Sequence, residues 1–235
     1  MSDAYPITRR NKVVRRYQRG SYDKATVHAI LDAALIAHIA YVMDGQPFCT
    51  PTAFWRDGDT LLWHGSSASR MLRAQAEGLP VCLTVTHMDG LVLARSGFHS
   101  SINYRSVMAF GRARRLQDVP EKRHAMDAFV GRFFPGRPDA LRPPTDQEVK
   151  ATSILSMEIE QASAKVRTGP PADDEADFSW PVWAGVIPLR TVVGAPEDCP
   201  RLPAGLAPGD DLAGYAPGRV LDEAYLDASR RSYGA

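Results

Sequence analysis

The segment His64-Gly65-Ser66-Ser67-Ala68-Ser69-Arg70 has the residue types of an anion pocket. It stands between a β-prone run and a helix-prone run. A helix start presents unpaired N–H groups and the positive end of a dipole, and both favour phosphate. Ser66, Ser67 and Ser69 add hydroxyl donors, and Arg70 adds a planar, permanently charged fork. Read alone, the same residues also suit an ordinary serine-capped helix with a solvated arginine. The chain has no GxxxxGK[ST] loop and no GxGxxG fingerprint, which argues against P-loop and Rossmann nucleotide sites.

Two further stretches carry polar chemistry. In Cys49-Thr50-Pro51-Thr52-Ala53-Phe54, small residues let a flat ring approach a strand whose N–H groups meet the ring's carbonyl edge. An ordinary edge strand with Pro51 at its margin fits the same residues. Between Arg95 and Ser106 lies a dense set of donors, including His99, Asn103, Tyr104, Arg105 and Ser106. Such groups suit ligand contact across a subunit boundary, or a polar surface loop. His64, His87 and His99 lack the spacing of a metal triad, so no metal is expected. No GxSxG elbow marks a hydrolase.

These groups need elements to hold them. A helix is expected over Asp23–His38, with Asp23 as N-cap and an apolar stripe through Val27, Ile30, Leu31, Ala34 and Leu35. Short strands follow at 39–43, 48–55 and 60–64, with Asp44-Gly45 and Asp57-Gly58 as turns. A short helix at 69–77, strands at 81–86 and 91–94 around an Asp89-Gly90 turn, and a strand at 105–116 come next. A helix at 120–134 and a last strand at 153–159 complete the set, and 180–189 is expected to pack back on the body. Close antiparallel spacing favours a barrel over a parallel α/β sheet.

The chain has 235 residues, 44% apolar and 23% charged, with a formal net charge of +1. That balance fits one globular domain and excludes a polyanion-binding or acidic solvating chain. No apolar run has membrane-spanning length and no apolar signal region opens the chain. Three unpaired, widely spaced cysteines point to a reducing, cytoplasmic setting. Three parts are expected: a basic N-terminal arm (1–20), a domain (21–195), and a Pro- and Gly-rich tail (196–235) that is loosely ordered. The arm has no groove-reading motif beside it, so nucleic acid is not an expected partner.

The ordered stretches Arg19-Gly20-Ser21-Tyr22-Asp23, Asp89 to Ala94, Asn103-Tyr104-Arg105-Ser106, Lys165 to Gly169 and Trp183-Ala184-Gly185-Val186 resemble the pyridoxamine 5′-phosphate oxidase-related proteins, including the nitroimidazole-resistance branch. The resemblance covers residues 9 to 195. It implies a mainly β (α+β) fold, a six-stranded antiparallel split barrel with flanking helices. It implies a homodimer that holds FMN at the subunit interface and acts as an oxidoreductase on an unknown small molecule. The alternative on the same fold is a non-enzymatic FMN or haem binder that stores or senses. The family's flavin strand falls on Cys49, Thr50, Pro51, Thr52, Ala53 and Phe54. Its phosphate segment falls on His64, Gly65, Ser66, Ser67, Ser69, Arg70 and Met71. Further contacts fall on Asn103, Arg105, Ser106, Trp183 and Arg190. His64 is the one candidate for proton transfer. Met71 replaces the lysine of the oxidases, and their His-Asp-Arg grip on the vitamer phosphate is missing, so pyridoxamine phosphate is not the expected substrate.

Overall fold

Asp23 starts the first helix. Its carboxylate accepts the Thr26 N–H at 2.8 Å, satisfying one orphan donor of the first turn. Helix α1 (Lys24–Asp32) buries Val27, Ile30 and Leu31. It stops at Asp32, short of the expected His38, and strand β2 (Ile36–Met43) begins instead. The reason is tertiary. Residues 36–43 pair with one neighbouring strand and 38–41 also pair with another, so two ladders outweigh the helical stripe.

The computed structural model describes residues 3–233. The remaining strands are β1 (Gly20–Ser21), β3 (Gln46–Asp57), β4 (Thr60–Ser66), β5 (Glu77–Leu93), β6 (Ser101–Arg115), β7 (Thr152–Glu158), β8 (Gln161–Arg167) and β9 (Gly185–Pro188). The other helices are α2 (Arg70–Gln75), α3 (Val119–Phe133), α4 (Arg137–Ala140), α5 (Asp146–Ala151) and α6 (Leu221–Tyr233). All pairings are antiparallel. The order β2-β3-β4-β7-β6-β5 returns to β2, so six strands close into a ring. This is the expected split-barrel architecture. β8 and then β1 extend the sheet beyond β6, and β9 extends it beyond β5.

Local chemistry explains the bends. Asp44 and Gly45 both have positive φ, 52° and 74°, as a two-residue hairpin of primed type requires. Asp89-Gly90 is not a turn. β5 runs straight through it as one strand of 17 residues, with a register shift between Met88 and Gly90. β6 pairs along both sides of that bulge, so no chain reversal occurs. Glycine is needed there because β9 crosses closely: a Cβ on Gly90 would lie 3.0 Å from the Ile187 carbonyl oxygen. β8 (161–167), which takes in the first three residues of the Lys165 to Gly169 motif, forms because β6 offers it an edge over Tyr104–Phe110.

Two apolar clusters hold the frame. Phe54, Leu61, Trp63, Leu83, Val107, Leu155 and Met157 fill the interior of the ring. Trp55, Leu62, Leu116 and Ile154 face outward, where Ala125, Met126 and Phe129 of α3 cover them. The alternation of Leu61 and Trp63 with Leu62 and His64 along β4 sets which side chains face which cluster.

The C-terminal end is more structured than composition implies. The N-terminal arm docks on the body: Tyr5 is buried and its hydroxyl donates to Asp59 at 2.8 Å, while Asn11 donates to the Ala162 carbonyl at 2.9 Å. In the segment 196–235 the structure differs from the expected loose tail, since residues 210–215 and 221–233 are helical. Ala224 and Ala228 of α6 are fully buried, and Arg132 of α3 donates to the Tyr225 carbonyl at 3.1 Å. Small buried residues give this helix little apolar stripe, which is why the Pro- and Gly-rich surroundings mask it.

Candidate functional site

The expected flavin strand is an open edge. β3 pairs with β2 from Gln46 to Ala53, but with β4 only from Phe54 to Asp57. The Phe54 N–H donates to the Leu35 carbonyl at 3.0 Å, on the β2 side. Ladder parity then turns the backbone groups of Thr52, Thr50 and Phe48 toward β2, and those of Ala53, Pro51, Cys49 and Pro47 toward the open side. Two of those four are prolines and have no N–H. The open edge therefore presents two backbone donors, Cys49 and Ala53, with carbonyls between them.

The bend from Gly65 to Arg70 lies beside this edge. The Arg70 guanidinium sits 5.3 Å from the centre of the Phe48 ring. Among the described residues Arg70 has no carboxylate partner. Several groups of the bend are already used. Ser67 N–H donates to the Ala151 carbonyl at 2.8 Å, and Ser69 N–H to the Ser66 carbonyl at 2.9 Å. The Ser66 hydroxyl accepts from Ala68 N–H at 3.2 Å, and the Ser69 hydroxyl caps α2 by accepting from Leu72 N–H at 3.5 Å. Gly65 is packed under Leu72, where a Cβ would approach to 3.0 Å. Met71 is half-buried and packs against the apolar cluster of the ring. The donors the bend still offers an anion are the Arg70 guanidinium and the O–H groups of Ser66, Ser67 and Ser69, since a hydroxyl that accepts an N–H can still donate.

Residues 23–166 match the family described as pyridoxamine 5′-phosphate oxidase. The chain belongs to the pyridoxamine 5′-phosphate oxidase-like family. Solved structures agree. The flavocytochrome Anf3 from Azotobacter vinelandii is 45% identical, with a TM-score of 0.84 over 90% of this chain and 98% of that one. A protein of Mycobacterium smegmatis named as binding FAD and haem is 39% identical, with a TM-score of 0.81 over 85% of this chain and 98% of that one. A 5-nitroimidazole antibiotic resistance candidate of Bacteroides thetaiotaomicron, 24% identical with a TM-score of 0.50 over 63% of this chain and 86% of that one, shares the fold. No curated protein sequence matches the chain.

The other family positions lie far from the bend within one subunit. The bend neighbours the Glu77 end of β5, through α2, whereas Trp183, β9 and Arg190 lie at the Leu93 end. Asn103, Arg105 and Ser106 pair with β5 between Thr86 and Gly90, also toward that far end. Asn103 accepts from Arg167 and donates to the Gly169 carbonyl at 3.1 Å. Ser106 donates to the Lys165 carbonyl at 3.3 Å. Trp183 and Arg190 are exposed, and the Trp183 ring covers Gly185.

Arg105, expected as a flavin contact, has carboxylate partners within the chain. It grips Asp89 with two N–H groups, at 2.7 and 3.0 Å, and Asp222 of α6 at 2.6 Å. His87 Nδ1 lies 3.3 Å from the same Asp222 carboxylate. Arg105 therefore ties the C-terminal helix to the sheet. Nothing in the local sequence signals this, because Asp222 lies in a distant segment. The His87 imidazole, together with Arg105, holds the Asp222 carboxyl below its usual range despite opposing burial. A depressed folded-state pKa stabilises above the unfolded carboxylate value of 3.8 and is lost as pH falls through the lower, folded value. Hydrogen exchange across residues 221–231 should accelerate as pH drops below 3.8, once the intrinsic rate is corrected. Asp222→Asn should remove most of that pH dependence.

His64 also departs from the bend. It shares a β4 face with Leu62, so its ring points outward under α3. It packs against Phe129 at 4.7 Å and Trp55 at 6.0 Å, between ring centres. Burial pushes its pKa down, so the imidazole is neutral at neutral pH. It lines a cavity of about 660 Å³ between β3, β4, β7 and helices α3 to α5.

Proposed function

We propose that this chain is a flavin-nucleotide-binding redox protein that also carries haem. The observation that bears most weight is the unpaired β3 edge beside an arginine without a carboxylate partner. The Cys49 and Ala53 N–H groups suit the carbonyl edge of an isoalloxazine ring. Arg70 and Ser67 suit a phosphate. FMN is the smallest ligand that uses both, and FAD uses the same two features. The flavin, when bound, supplies hydride or electron transfer. The protein's own part is to orient the ring along the edge and neutralise the phosphate. Two relatives more than one third identical are named as a flavocytochrome and as an FAD- and haem-binding protein, which supports both cofactors.

Two copies complete the site in this reading. Trp183 and Arg190 reach a bend only from a second subunit, since within one chain they lie at the opposite end of β5. Exposed Met88, Leu91, Ile102 and Ile187 around them form an apolar surface that a second copy would cover. The reaction proposed is flavin-dependent oxidation or reduction of a small molecule. Three free cysteines fit a reducing, cytoplasmic setting. Among the described residues no helix is long and apolar enough to cross a membrane.

The purified protein should be yellow, dimeric by light scattering, and release FMN or FAD identified by mass. Arg70→Ala should weaken flavin binding about tenfold, the scale of one charge-assisted hydrogen bond. Unchanged affinity in a folded variant removes the phosphate assignment. Bleaching of the flavin bands by a nicotinamide nucleotide, followed by turnover with an acceptor, supports an enzyme. Bound flavin that no such donor reduces supports the storage or sensing alternative.

A further inference from the structure

We infer that His64 is an axial ligand of haem iron, with the porphyrin in the cavity between the ring and helices α3 to α5. This rests on the haem part of the function proposed above and assigns it a place. Among the described residues His64 is the only histidine lining that cavity. Among the described residues, neither of its ring nitrogens has a hydrogen-bond partner. A half-buried imidazole with no protein partner leaves both ring nitrogens free to meet a ligand in the cavity it faces. Iron ligation satisfies one nitrogen, and histidine is a common axial haem ligand.

The rest of the cavity suits a large flat apolar group. Trp55, Phe129, Val130, Leu141 and Ile154 supply its walls. Its volume, about 660 Å³, lies within the ordinary range of cofactor pockets, roughly 300–1,000 Å³. Arg142 stands on the lining and is exposed, paired with Glu148 at 2.5 Å. It is placed to meet a propionate, which would compete with Glu148 for the same guanidinium. The flavin edge does not use this space, because Cys49 and Ala53 present their free N–H groups along β3 beside Arg70. The two sites meet only through β4, where His64 precedes the bend.

The test uses full-length protein expressed with a haem precursor. Haem and flavin are each quantified per subunit, and the ferrous form is examined by resonance Raman spectroscopy. The wild type should show a Soret band and an iron–histidine stretch. His64→Gln should lose at least tenfold in haem content or lose that stretch, with flavin content unchanged, and added imidazole should restore a Soret band. Leu141→Trp, which puts a bulkier ring on the cavity wall and leaves His64 in place, should lower haem content and retain flavin. It decides the matter if His64→Gln fails to fold. A His64→Gln protein with the wild-type spectrum, or a Leu141→Trp protein with full haem content, overturns the assignment. A wild type that takes up flavin but no haem overturns the haem reading itself and the ligand with it.

Discussion

Asp32→Ala should destabilise the protein by about 3–5 kcal/mol, the cost of removing one partner from a buried ion pair. Asp32 is 7% exposed and is the last residue of α1. Its carboxylate accepts from Arg56 of β3 at 3.0 and 2.6 Å, a fork-on-fork geometry. Arg132 of α3, itself 3% exposed, approaches the same carboxylate at 3.6 Å and donates to the Asp32 carbonyl. Alanine leaves two guanidinium groups without their carboxylate in a poorly solvated place. Asp32→Asn keeps the shape and some hydrogen bonding and should cost less. Urea unfolding followed by tryptophan fluorescence measures both. A loss below about 1 kcal/mol for alanine would mean that the pair is solvated.

Gly111→Ala should cost at least about 3 kcal/mol, the upper end of ordinary overpacking. A Cβ at Gly111 would lie 2.2 Å from the Glu158 carbonyl oxygen and 2.6 Å from Met157 Cγ. The first obstacle is backbone, so no rotamer change relieves it. The position is also where β6 changes partner. Up to Phe110 it pairs with β8, and from Ala113 it pairs with β7. The Glu160 N–H donates to the Phe110 carbonyl at 3.0 Å just before the switch. Closing the ring therefore depends on two strands, β6 and β7, passing at glycine distance. Gly194→Ala serves as the control, since nothing lies within 4 Å of its would-be Cβ. Comparable thermal shifts for the two variants would refute the close-approach account.

Local chemistry made much of the frame legible. Asp-Gly pairs with alternating apolar residues marked the first hairpins, and Asp23 marked the start of α1. Ser69 was readable as a cap for the same reason. What could not be read locally was set by partners distant in sequence. The helix stripe through Ala34 and Leu35 looked continuous, yet β3 and β5 claim the residues from Ile36 onward. Asp89-Gly90 has hairpin chemistry, but a partner strand runs past it on either side. That Arg105 ties the sheet to α6 was not readable, because its carboxylates, Asp89 and Asp222, are not adjacent in sequence to it. The candidate site divides the same way. The pairing of Cys49–Phe54 with Arg70 was visible as neighbouring segments, whereas the outward face of His64 follows only from strand parity and the position of α3.

The prolines of β3 carry a consequence for the soluble lifetime of the protein. An unpaired strand margin is a template on which a second strand, from any chain, can grow into a fibril. Pro47 and Pro51 occupy two of the four outward positions and cannot donate there. A growing strand would find its ladder interrupted at every other rung. The same spacing leaves enough donors for a small planar guest. The margin thereby stays receptive to a cofactor while refusing another polypeptide.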